Sequence, residues 1–118
     1  MANEIQTSTT FTFSKNGSPP QNWSVSGSIN VTGNYFVTGI QSIGLVDETI
    51  ALGDIATIGY VLLKNLDATH FVSFGVDGST YPNRLLAGEE CKVRLNGAAI
   101  HLIADTAACK VSYLIVEA

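Results

Sequence analysis

The sequence predicts an all-β chain built as an antiparallel sandwich or barrel of about eight or nine short strands. Three observations predict this. First, apolar residues recur with a period of two. In "NWSVSGSINVTG" (22–33), Trp23, Val25, Gly27, Ile29 and Val31 fall on one side, and Asn22, Ser24, Ser26, Ser28, Asn30 and Thr32 on the other. Second, turn signals interrupt the alternation roughly every 8–12 residues. Third, no apolar i, i+3, i+4 pattern lasts three turns. The best helical candidate, "IALGDIATIGYVLL" (50–63), carries Gly53 and Gly59 and is rich in β-branched residues.

Each element follows from the same reading. "IQTSTTFTF" (5–13) alternates Ile5, Thr7, Thr9, Phe11 and Phe13 against Gln6, Ser8, Thr10 and Thr12. This is a half-buried strand. "SKNGSPPQ" (14–21) breaks it, since Asn16-Gly17 supplies positive φ and Pro19-Pro20 cannot donate to a ladder. The comb at 22–33 is the second strand, with Trp23 on its core side. "YFVTGIQSIG" (35–44) is the third, with a bulge expected at Gly39. "DETIALGD" (47–54), "IGYVLLKNL" (58–66) and "HFVSFGV" (70–76) follow, the last placing Val72, Phe74 and Val76 on one side. "DGSTYPN" (77–83) is a loop. "CKVRL" (91–95) ends at Asn96-Gly97, a hairpin signal. "AIHLIAD" and "ACKVSYLIVE" complete the count. In the last, Val111, Tyr113 and Ile115 form one side, while Leu114 and Val116 make the other apolar as well. A strand apolar on both faces is covered twice or meets another chain.

Composition narrows the function. The chain has 118 residues, 46% of them apolar, enough for a single core. Charged residues make up 14%, against roughly 25% usually. From Met1 to Val46 only Glu4 and Lys15 carry side-chain charge. Hydroxyls and amides cost less to desolvate than ions, so such a surface suits subunit contacts. A net charge of −4 with six Lys and Arg argues against a phosphate-tracking groove, and hence against nucleic acid. The longest apolar run, Tyr60–Leu63, is too short to cross a bilayer as a helix, and no membrane partner is expected. "MANEIQTSTTF" lacks the basic and apolar stretches of a secretory leader, so any route outside a cell is expected to be another one, such as release within a virion.

Motifs for catalysis or metal binding are sparse. His70 reads as a solvated strand end. His101 sits between Ile100 and Leu102, with no ligand residue at metal spacing. Asp47-Glu48 and Glu89-Glu90 are adjacent in extended chain and point to opposite faces, which suits blunted strand edges better than acid/base pairs. Asp77-Gly78-Ser79 is a turn without calcium-loop spacing. Cys91 and Cys109 read as small buried thiols, their pairing undetermined by sequence. No catalytic residue, metal or cofactor is expected. Asn22-Trp-Ser and Asn30-Val-Thr match the glycosylation sequon, a chance match in a chain so rich in Ser and Thr.

"KNLDAT", "HFVSFG", "LLAGE" and a closing hairpin of "AAIHLIA" and "ACKVSYLIVE", spanning about residues 58–118, resemble a small β-domain of tailed-bacteriophage structural proteins. Length, with no linker or composition break, predicts one domain over 1–118, and the long 1–13 segment, charged only at the Glu4 side chain, an arm or edge strand. The resemblance implies a jelly-roll-like sandwich and a non-enzymatic virion role. That role is a capsid decoration protein, or alternatively a head–tail or tail part. It implies a homo-oligomer, with a trimer favoured, meeting the major capsid or another virion protein after assembly in the host cytoplasm. Candidate contact residues are Leu114, Val116 and the hydroxyls of Ser24, Ser26 and Ser28. A carbohydrate-binding or adhesion module is the alternative, with Trp23, Tyr35 and Tyr81 as stacking residues. In "KNLDAT", Asn65 and Asp67 are expected to cap their own backbone, and Gly88 of "LLAGE" to adopt a left-handed conformation.

Overall fold

A computed structural model describes residues 4–95 and 97–118. All regular structure in it is β, in ten strands, every pairing antiparallel. The chain divides into two compact units, residues 1–32 and 33–118.

The first unit is a hairpin of β1 (Ile5–Phe13) and β2 (Gln21–Ile29), paired without a break from Ile5↔Ile29 to Phe13↔Gln21. Asn16 (φ 55°) and Gly17 (φ 74°) turn the chain between them, as the Asn-Gly signal predicts. Residues directly opposite share a face, so Phe11 lies against Trp23 and Thr9 against Val25. These side chains are not core. Trp23 is 58% exposed, and Phe11, Phe13 and Val25 are exposed too. This corrects the expected inward role of Trp23: alternation says which residues share a face, not what covers it. The second strand also stops at Ile29, short of Gly33.

The second unit holds eight strands: β3 (Phe36–Ile43), β4 (Glu48–Thr49), β5 (Ile58–Asn65), β6 (Val72–Gly75), β7 (Asn83–Leu85), β8 (Glu90–Arg94), β9 (His101–Ala104) and β10 (Cys109–Glu117). They form two four-stranded sheets, ordered β3-β10-β5-β8 and β4-β9-β6-β7. The adjacencies β3 with β10, β4 with β9, β5 with β8 and β6 with β7 are nested, as in a long hairpin rolled on itself. Alternating residues from both sheets bury one core, including Ile43, Val61, Leu63, Val111 and Ile115 from the first and Val72, Phe74, Leu85, Leu102 and Ala104 from the second.

This order corrects two local expectations. β9 and β10 are not a closing hairpin, because they belong to opposite sheets. Nor do β8 and β9 pair across Asn96-Gly97; β8 pairs with β5, and Asn96 itself lies outside the described residues. Gly39 carries no bulge. β3 pairs with β10 in unbroken register, and Gly39 faces Tyr113, where a Cβ would stand 3.1 Å from the phenol oxygen. The ring takes the space that the missing side chain leaves. The register shift falls in β10 instead, between Ile115 and Glu117. Val76 lies beyond β6 and is exposed. Both cysteines are free thiols, Cys109 buried and Cys91 half-buried, and burial pushes both upward in pKa.

Asn65, at the end of β5, is the buried polar side chain that organises one end of the sandwich. Its amide donates to the carbonyls of His70 (2.9 Å), Leu85 (3.1 Å) and Leu86 (3.3 Å), and its Oδ1 accepts from the Asp67 amide (3.0 Å). Asp67 in turn accepts from the amides of Thr69 and His70, the self-capped turn that "KNLDAT" predicts. Gly88 has φ 79°, the left-handed conformation expected of "LLAGE".

Candidate functional site

The sequence-predicted contact residues fall on two separate surfaces. Ser24, Ser26 and Ser28 stand on the polar face of the β1–β2 hairpin, opposite Thr10, Ser8 and Gln6. Ser28 Oγ donates to Gln6 Oε1 at 3.0 Å. The other hairpin face carries the Phe11–Trp23 pair. Leu114 and Val116 lie half-buried on the outer face of the β3-β10-β5-β8 sheet, in the second unit.

Register defines that outer face in rows. Phe36 stands beside Val116. Thr38, Leu114, Leu62 and Lys92 form the next row, and Ile40, Ser112, Lys64 and Glu90 the one after. Tyr60 pairs with Arg94, whose guanidinium lies 4.8 Å from the ring centroid. Lys110 pairs with Ser42. An apolar stripe on β3 and β10 thus meets a basic stripe on β5 and β8. Phe36 and Ile40 are 65% and 63% exposed. Four of the chain's six basic residues (Lys64, Lys92, Arg94, Lys110) share this face with one carboxylate, Glu90.

A polar cluster forms where the loop after β3 meets the loop after β6. The Tyr81 hydroxyl donates to Asp47 Oδ1, and Gly78 packs close enough that a Cβ there would sit 3.4 Å from Asp47 Oδ2. His101 Nδ1, on β9, lies 2.9 Å from Asp47 Oδ2. Hydrogen bonds from Tyr81 and then His101 hold the Asp47 carboxyl below its ordinary pKa. The bond to Asp47 also pushes the Tyr81 phenol up to about 12, so Tyr81 remains a donor at neutral pH. Asp77 caps the amides of Ser79 and Thr80, which lowers it as well. Leu45 and Val46, just before Asp47 in the chain, and Val76, just before Asp77, are exposed.

The second histidine has the same kind of partner. His70 Nδ1 lies 3.1 Å from Asp67 Oδ2, and the Thr69 and His70 amides bring Asp67 down to about 2. Sequence reasoning missed both pairings. Asp47 and His101 are 54 residues apart, and only the β4–β9 adjacency brings them together. A carboxylate that orients an imidazole is half of an acid/base device. The Tyr81 phenol donates to the same Asp47 carboxylate, so the three side chains tie the 77–82 loop to β9. Among the described residues, no grouping of three or more His, Cys, Asp or Glu side chains is placed to hold a metal ion.

Of the proposed stacking residues, Trp23 and Tyr35 are exposed, whereas Tyr81 is half-buried with its hydroxyl committed to Asp47. Comparison with protein-family models, with curated proteins and with solved structures finds no match to the chain.

Proposed function

We propose that this chain is a non-enzymatic structural protein of a virion, acting as a capsid decoration subunit of a tailed phage. It would assemble in the host cytoplasm as a homo-oligomer and stabilise the particle by burying surface against its own copies and the capsid protein. The observation that carries this role is the β1–β2 hairpin. A two-stranded hairpin is marginally stable in water by itself, and this one leaves Phe11, Phe13, Trp23 and Val25 exposed along one uncharged face. A second surface must cover that face for it to be useful.

The nested strand order supports the same role by analogy. We read it as a jelly roll, an architecture recurrent in viral capsid and lectin domains, although fold alone does not assign function. A tail or head–tail position uses the same surfaces and the same physics. The exposed ring of Trp23 favours one further reading, a carbohydrate-binding or adhesion module.

Co-sedimentation with particles of the phage that encodes the chain tests the proposal. The full chain is expected to pellet with particles, and Phe11→Ser/Trp23→Ser to remain in the supernatant. Equal pelleting of both would remove the hairpin from the account. Glycan-array binding abolished by Trp23→Ala would favour the adhesion module instead.

A further inference from the structure

We infer that the 33–118 unit carries two complementary halves of a head-to-tail contact between copies of this chain. One half is the outer face of the β3-β10-β5-β8 sheet; the other is the acidic, apolar corner formed by residues 45–47 and 76–77. This deepens the contact-area reading and rests on it for the premise that copies associate. The hairpin plays no part in the contact.

Charge segregation carries the inference. The sheet face has Lys64, Lys92, Arg94 and Lys110 against Glu90, a local balance of +3 on a chain whose net charge is −4. The corner holds two carboxylates, Asp47 and Asp77; Glu48 lies on the other face of β4, the one it shares with buried Leu102, and its carboxylate accepts from the Gly44 amide. Each charged set lies beside exposed apolar side chains: Phe36, Ile40 and Leu62 on the face, and Leu45, Val46 and Val76 at the corner. Val46 is the most exposed of these, at 73%. A protein interface covers apolar side chains and pairs the charges beside them.

Two copies cannot use the sheet face against itself without bringing four cations against four. Face against corner instead joins opposite charges and covers both apolar sets. Such a contact is heterologous. It closes into a ring if the rotation between copies allows, and otherwise runs on as a chain.

Charge variants in the full-length protein test it, read by sedimentation velocity with circular dichroism as the folding control. The measurements are made in the Phe11→Ser/Trp23→Ser background, so hairpin-driven assembly is read apart. Lys64→Glu/Lys92→Glu disables the face, and Val46→Lys disables the corner. Each variant alone is expected to associate about tenfold or more weakly than the background protein, whose own association should weaken as salt rises. An equimolar mixture of the two, which restores one working face and one working corner, is expected to form a 1:1 complex. Variants that associate as strongly as the background protein, or a mixture that stays monomeric, would overturn the head-to-tail contact alone. A wild-type chain monomeric at every concentration would overturn both this contact and the contact-area role.

Discussion

Asn65→Leu is the sharpest perturbation of the sandwich. Leucine keeps the branched shape with the same number of heavy atoms but bulkier ends, so no cavity opens and the loss is polar, with overpacking added to it. The substitution leaves three groups without that partner, the carbonyls of His70 and Leu85 and the amide of Asp67, while the Leu86 carbonyl keeps the Glu89 amide at 3.0 Å. A buried polar group left unpaired costs about 1–3 kcal/mol. Leu85 is buried and bears that cost in full, while His70 and Asp67 lie nearer water and recover part of it. The expected loss is about 3–5 kcal/mol, a large share of the roughly 5–15 kcal/mol that a domain commands. At about 4 °C per kcal/mol for this size, Tm should fall by roughly 12–20 °C. Thermal unfolding followed by circular dichroism, with urea titration of the same samples, measures it. A loss under about 1 kcal/mol would refute the reasoning, because it would mean that water replaces the amide at no cost.

Gly75→Ala should also destabilise, because a Cβ there would collide with the Thr80 carbonyl oxygen and stand 3.0 Å from Pro82 Cδ. Urea unfolding should register the overpacking as a loss of about 1–3 kcal/mol. Acid should weaken the fold through Asp67. Its folded pKa of about 2 lies below the ordinary 3.8, so its contribution is complete above about pH 4 and disappears as pH falls through about 2. Asp67→Asn should therefore flatten that part of the urea midpoint-versus-pH curve, leaving the share due to Asp47, Asp77 and Glu117, which are also lowered.

The all-β class was legible because period-two alternation is a local property. Ile5–Phe13 and Ile58–Asn65 appear nearly where the pattern places them. The capped "KNLDAT" turn and the left-handed Gly88 were legible for the same reason: their chemistry lies within a few residues. Pairing was not. Asn96-Gly97 marks a reversal of direction, but a reversal does not say whether the next strand returns to the same sheet or crosses to the opposite one. Here consecutive strands mostly change sheets, so β8 and β9 never pair. Gly39 showed the same ambiguity, since a glycine in a strand allows either a bulge or a large neighbour, and Tyr113 decides for the neighbour.

Of the candidate surfaces, sequence located Leu114 and Val116 through the doubled apolar pattern of the last strand. It did not reveal the basic stripe beside them, because Lys64, Lys92, Arg94 and Lys110 come from three strands that are neighbours only in space. The same distance in sequence hid Asp47 from His101. Trp23 was misjudged for a different reason. An apolar strand face is a demand for cover, and the chain itself leaves that demand unmet at the hairpin.

Light scattering across a dilution series tests the central claim, that this chain works by contact area, most directly. The full chain should weigh an integral multiple of the protomer at high concentration, and Phe11→Ser/Trp23→Ser should dissociate at far higher concentration than the wild type. A full chain that weighs one protomer throughout the series would contradict it.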